Sequence, residues 1–118
     1  MEYAVTVKEA RLRATQQALN NATLELLMGE NVCAQFQLER ISAVVLGDML
    51  SFIGFPKFAA SRFNGRITSG RIVRPDGATL VHAMRVGLMD SRADIRLETL
   101  VADVGNIIRI HSAEIQHA

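Results

Sequence analysis

The stretch RIVRPDGATLVHA, residues 71–83, holds two β-prone runs that meet at Pro75-Asp76-Gly77. Proline presets φ for the first central position of a type I turn. Gly77 can take the positive φ that closes a bulged hairpin. A chain that reverses this sharply is not helical here, and similar punctuation recurs. TLELLM and VCAQFQL are separated by Gly29-Glu30-Asn31, and DMLSFIG ends at the Pro56 break. RITSGRIVR and ATLVHAMRV flank the opening turn, and ADIRLETL and NIIRIHSAEIQ close the chain. About seven short strands with regular turn signals predict an antiparallel β-sandwich or jelly roll over residues 22–118.

The last run alternates without sorting cleanly. Ile108, Ile110, Ser112, Glu114 and Gln116 share one face, and Ile107, Arg109, His111, Ala113 and Ile115 share the other. Neither face is apolar throughout.

Residues 1–21 read as a helical segment that packs on the sheet. In TVKEARLRATQQALNN, Thr6 and Glu9 have capping-box spacing. Val7, Ala10, Ala14 and Ala18 form an apolar face opposite Lys8, Arg11 and Arg13. Asn20 and Asn21 suit the helix exit, because asparagine tolerates the left-handed conformation. The expected architecture is mainly β with one N-terminal α-helix.

A chain of 118 residues makes one domain with a real core. A single cysteine, Cys33, precludes an intrachain disulfide and fits a reducing site of synthesis. MEYAVTVKEARLR has no apolar run of the kind a signal peptide needs. No stretch approaches the roughly 18 apolar residues of a membrane helix, so a soluble protein made in the cytoplasm is expected, with no membrane partner. Thirteen basic and twelve acidic residues give a net charge of +1, which argues against bulk attraction to nucleic acid or acidic lipid. The AVILMFWYC set makes up 49% before the eight glycines are counted. That is high for a small soluble domain and points to assembly into something larger.

The residues argue against catalysis. His82, His111 and His117 have no nucleophile elbow beside them. His111 and His117 are about 20 Å apart along an extended strand, too far to share an ion. Asp90, Asp94, Glu98 and Asp103 lack the spacing of a calcium loop. Cys33 sits in the apolar run VCAQF and reads as a small buried hydrophobe. The glycines stand singly, not in a phosphate loop. No enzyme activity, cofactor or metal is expected.

Two stretches stand out. GFPKFAASRFNGR, residues 54–66, reads as a loop that carries Phe55, Phe58 and Phe63 with Lys57, Arg62 and Arg66. Three readings are open. The rings plug one end of the core, or they dock on a protein partner through Phe55, Lys57, Phe58, Arg62 and Phe63. The third is stacking on single-stranded nucleic acid, which the near-neutral charge disfavours. ERISAVVLGDM places Ile41, Val44, Val45 and Leu46 where the chain crosses between strands. Such an aliphatic connection is either tucked under its own chain or buried between subunits, with Ile41, Val44 and Leu46 as the oligomer contacts.

The segment from Ser69 to Ala118 resembles the end of a family of small tailed-bacteriophage proteins. The resemblance rests on Arg74, Asp76 and Gly77, then Val86-Gly87, then ADIRLET at residues 93–99, then Gly105 and the closing strand. An arginine-bearing helix running into NNATLELLMGENVCAQFQL is similar to the family's N-terminal half. The chain departs from the family in its compact aliphatic stretch at 41–46 and its aromatic, basic segment at 55–63. The resemblance implies a non-enzymatic virion structural or accessory protein. The reading that follows is a capsid decoration (cement) protein bound to the major capsid protein, as a dimer or trimer, in the virion. A tail, baseplate or fibre-attachment component is the alternative, and a nucleic-acid-binding accessory protein the second.

Overall fold

The computed structural model describes residues 5–116, with side chains from residue 10 onward. One helix, α1 (Val5–Ala18), leads into twelve strands: β1 (Thr23–Met28), β2 (Asn31–Gln37), β3 (Ala43–Leu46), β4 (Met49–Phe52), β5 (Lys57–Ala60), β6 (Gly65–Arg66), β7 (Ser69–Val73), β8 (Thr79–Met84), β9 (Val86–Leu88), β10 (Ile95–Leu97), β11 (Val101–Ala102) and β12 (Ile107–Gln116). The first sheet has the order β2-β1-β7-β8, and the second β3-β4-β12-β10-β9, with β5 also paired to β12. A small ribbon joins β11 and β6. The architecture is mainly β and sandwich-like with one N-terminal helix, as the turn signals predict.

The inward faces carry the core: Leu24, Leu26, Phe36, Ile72, Leu50, Ile95, Leu97, Ile108 and Ile110 are all buried. Gly70 on β7 shows how tightly the sheets meet. A Cβ there would lie 2.3 Å from Ile95 Cδ1 of the opposite sheet. Glycine is what lets the isoleucine seat against the backbone.

The two sheets are joined at both sides. Met84 at the end of β8 pairs with Gly70 in the first sheet, and after Arg85 the chain pairs Val86 with Ile95 in the second. One nearly continuous strand thus belongs to both. On the other side, a bulge between Leu26 and Leu27 leaves Cys33 out of the β1–β2 register. Its carbonyl accepts instead from Arg62 N–H, at 2.8 Å. Cys33 is buried, with its Sγ donating to Leu26 O at 3.3 Å. Burial pushes this thiol above its ordinary pKa.

The turn at residues 74–77 forms as its residues predict. Gly77 has φ +91°, and its N–H donates to Arg74 O at 2.9 Å. Asp76 finishes it, accepting from Ala78 N–H at 3.0 Å and pairing with Arg74 at 2.8 Å.

Three expectations are corrected. First, Ala10, Ala14 and Ala18 of the helix are exposed, and among the described side chains of this segment Leu12 and, just past the helix, Leu19 are buried. A leucine removes far more apolar area from water than an alanine, so burying Leu12 and Leu19 outweighs leaving the three alanines exposed. The side chains of Thr6, Val7, Lys8 and Glu9, and so the capping box, lie outside the described residues. At the exit, Asn21 does adopt the left-handed conformation, with φ +61°. Second, residues 43–46 are a strand, not a crossing loop, and form a hairpin with β4 through Gly47-Asp48. Asn20 fixes its start, because Oδ1 accepts from Ser42 N–H at 2.9 Å. The buried Ser42 hydroxyl lies 3.0 Å from Gln16 O. Third, β9 and β10 pair in parallel across only residues 89–94. So short a return folds Ser91 and Ala93 over Gly87, where a Cβ would come within 2.8 Å of Ala93 Cβ.

The mixed faces of the last strand have a simple cause. β10 pairs Arg96 with Ser112 and Leu97 with Ile110, which leaves His111 as an extra residue. Inward side chains are Ile108 and Ile110 before this bulge and Ala113 after it. One inserted residue moves the core side of the strand from even to odd positions.

The outer face of the first sheet is polar and closed on itself. Glu25 on β1, only 5% exposed, accepts from Gln35 Nε2 of β2 at 2.7 Å and from Arg71 Nε of β7 at 2.7 Å. Arg62 Nη2 extends the row by donating to Gln35 Oε1 at 2.9 Å.

Candidate functional site

The segment at residues 54–66 is not the loop its composition suggests. β5 runs antiparallel along β12, with Phe58 opposite Arg109 and Ala60 opposite Ile107. Alternation along the strand divides the segment. Phe55 is half-buried and packs against the core. Lys57 is mostly covered and pairs with Glu39 at 2.7 Å, with its ammonium 5.6 Å from the Phe55 ring centre. Of the five residues read as a docking set, Phe55 and Lys57 are therefore engaged by their own chain. The structure answers the core-plug reading differently for each ring: Phe55 turns in, while Phe58 and Phe63 turn out.

Phe58 is 61% exposed, and its cross-strand neighbour Arg109 holds a guanidinium 5.8 Å from the ring centre. Arg109 also pairs with Glu98. Ile107, on the same outer face, is 63% exposed. The apolar surface continues into the turn that precedes β12. Ser61 N–H donates to Asn106 O at 2.8 Å, and Gly105 N–H to Ser61 O at 2.9 Å. Val104 N–H donates to Asn64 Oδ1 at 2.7 Å. These bonds hold the Phe63 turn against the Val104 turn, and both side chains are exposed. Val101, on β11 opposite Arg66, adds another exposed apolar side chain nearby. Phe58, Phe63, Val101, Val104 and Ile107 thus crowd one end of the molecule.

Val101, Val104 and Ile107 escape a reading by composition, because Val101 and Ile107 sit beside apolar neighbours that are core candidates and Val104 stands alone in a turn. The available signal was the 107/109/111 alternation, which puts Ile107 beside Arg109 and His111 on the outer side. The cations at this end are partly committed: Lys57 to Glu39, Arg109 to Glu98 and Arg62 to Gln35. The surface is chiefly apolar, and Arg62 and Arg66 are exposed beside it without an ion pair among the described residues.

Ile41, Val44 and Leu46 form a second apolar group at the β3 edge. All three are exposed, whereas Ala43 is buried and Val45 packs against the core. Tucking under the chain's own fold therefore holds only for Ala43 and Val45.

The other polar residues considered for chemistry do not converge. His82 and His111 are exposed on separate strands, and His117 lies outside the described residues. Asp94 is used structurally, accepting from Arg85 N–H at 2.9 Å. Among the described residues, no three histidine, cysteine or carboxylate side chains are grouped to hold a metal ion. No helix among them is long and apolar enough to cross a membrane. An open groove lined by Asn20, Glu39, Arg40, Ile41, Ile53 and Gly54 runs beside the start of β3. Comparison of the chain with family models, curated proteins and solved structures returns no match.

Proposed function

We propose that the protein is a virion structural protein that decorates a phage capsid by apolar docking on the major capsid protein. The observation that carries this reading is the outward set Phe58 and Ile107 on the β5–β12 ladder, with Phe63, Val101 and Val104 beside it. The resemblance of the turn and strand pattern to small phage virion proteins supports it. Burying a phenylalanine side chain that is now mostly exposed contributes about 1–2 kcal/mol per copy. A shell gains by repetition, since many modest contacts on one particle act together.

The test is the copy number of the chain in purified particles, relative to the major capsid protein. A ratio near one, or a simple fraction of it, is the expected result. A few to some tens of copies per particle would move the protein to the tail or baseplate, and absence from particles would overturn the virion reading. In particle-binding assays, Phe58→Ala with Phe63→Ala should weaken attachment while leaving the circular dichroism unchanged. Attachment that falls steeply with added salt would instead indicate phosphate contacts.

A further inference from the structure

The two sandwich sheets end in edge strands that are treated differently. β2 receives Arg62 N–H at the Cys33 carbonyl and carries Gln35 and Gln37 among its outward side chains. On β3, β4 occupies one side, and among the described residues no strand pairs with the other. Ile53 N–H donates to Ser42 O at 3.0 Å. With Val44 opposite Ser51 and Leu46 opposite Met49, this places Ser42, Val44 and Leu46 in phase to bond toward β4. Ala43 and Val45 then turn their N–H and C=O groups to the free edge. Edge strands of soluble proteins are usually protected by charge, proline or a bulge. The sequence Ala43-Val44-Val45-Leu46 has neither charge nor proline, and its pairing with β4 has no register shift.

We infer that β3 pairs antiparallel with β3 of a second copy, about a two-fold axis at Val44. The phase of the outward groups allows three central registers: Ala43 against Ala43, Ala43 against Val45, or Val45 against Val45. The middle one, with Ser42 level with Leu46 of the second copy, sets the bend at Arg40 beside the Gly47-Asp48 turn of the second copy, and by symmetry it does so twice. Among the described residues neither side chain has an ion-pair partner in its own chain. Charge complementarity thus favours this register over the other two. In it Val44 faces Val44, where side chains of an antiparallel pair approach most closely. Leu46, on the same face of the strand as Val44, flanks that contact. The second sheets of the two copies become one sheet running β12-β4-β3-β3-β4-β12. This pairing does not depend on how the Phe58 surface is used.

Sedimentation equilibrium of the full chain over a wide concentration range tests it. The wild type should dimerise reversibly, and Val44→Lys should be monomeric, because two ammonium groups would face each other at the axis. Arg40→Asp and Asp48→Arg should each weaken dimerisation by about fivefold, from two exposed pairs lost together. The double variant, with both charges exchanged, should return to within about twofold of the wild type. A wild-type monomer at millimolar concentration, a trimer, a Val44→Lys dimer as tight as the wild type, or a double variant no tighter than the singles would each overturn the inference. If Val44→Lys unfolds, the charge exchange decides alone.

Discussion

The outer faces of the two sheets solve the same problem in opposite ways. On the first, Arg62, Gln35, Glu25 and Arg71 form a hydrogen-bonded row across three strands and the segment beside them. On the second, Phe58 and Ile107 stand bare on β5 and β12, and Val44 and Leu46 on β3. Antiparallel sheets with one solvated side normally alternate apolar inward and polar outward. The first sheet follows that rule and satisfies its polar groups internally. The second breaks it at Phe58, Ile107, Val44 and Leu46, the side chains on which the proposed contacts rest.

The sharpest way to challenge this contrast lies within one strand. Ile110→Ala removes a side chain with no exposure and should cost about 3 kcal/mol in urea unfolding. A cost under about 1 kcal/mol would mean that the inner face is not packed as described. Next comes Glu25→Ala, which strands Gln35 Nε2 and Arg71 Nε. Arg71 can still reach water, so the loss should be about 1–2 kcal/mol. No loss would mean that the polar row is decoration, and the contrast between faces would fall. Ile107→Ala should change stability by less than about 0.5 kcal/mol, being exposed. A core-sized loss there would make it part of the fold and not of an interface.

The smallest effect concerns pH at the β7–β8 turn. The Arg74 guanidinium, hydrogen-bonded to Asp76, holds that carboxyl below its ordinary value of 3.8, with Ala78 N–H adding to the effect. A depressed folded pKa means that the turn's order is present above 3.8 and is lost as pH falls through the lower folded value. Amide shifts of Gly77 and Ala78 should therefore titrate below 3.8. A midpoint at or above that value would show that the Arg74 pair does not form in solution.

Turn chemistry made the β class legible, because Pro75-Asp76-Gly77 and Gly29-Glu30 act through local backbone preferences. Features that depend on distant partners were harder to read. The alanine stripe of α1 looked apolar, yet Leu12 and Leu19 outweigh it once a core is available. Residues 41–46 looked like a crossing because their strand is short and its partner begins only two residues after it. His111 hid the inward face of β12, since a bulge exists only relative to a neighbour. The candidate surface was half legible: Phe58 and Phe63 were visible as clustered aromatics, but Ile107 and Val104 join them only through the β5–β12 ladder and the turn beyond it.

The strand that passes from β8 to β9 through Arg85 has a mechanical consequence. A pull on the Phe58 side of the second sheet reaches the first along covalent backbone as well as through side-chain packing. The sheets cannot slide past each other without breaking ladder bonds on either side of Arg85. A subunit clamped at one face would therefore bear load as one stiff body, and its hydrogen exchange should slow or quicken in both sheets together.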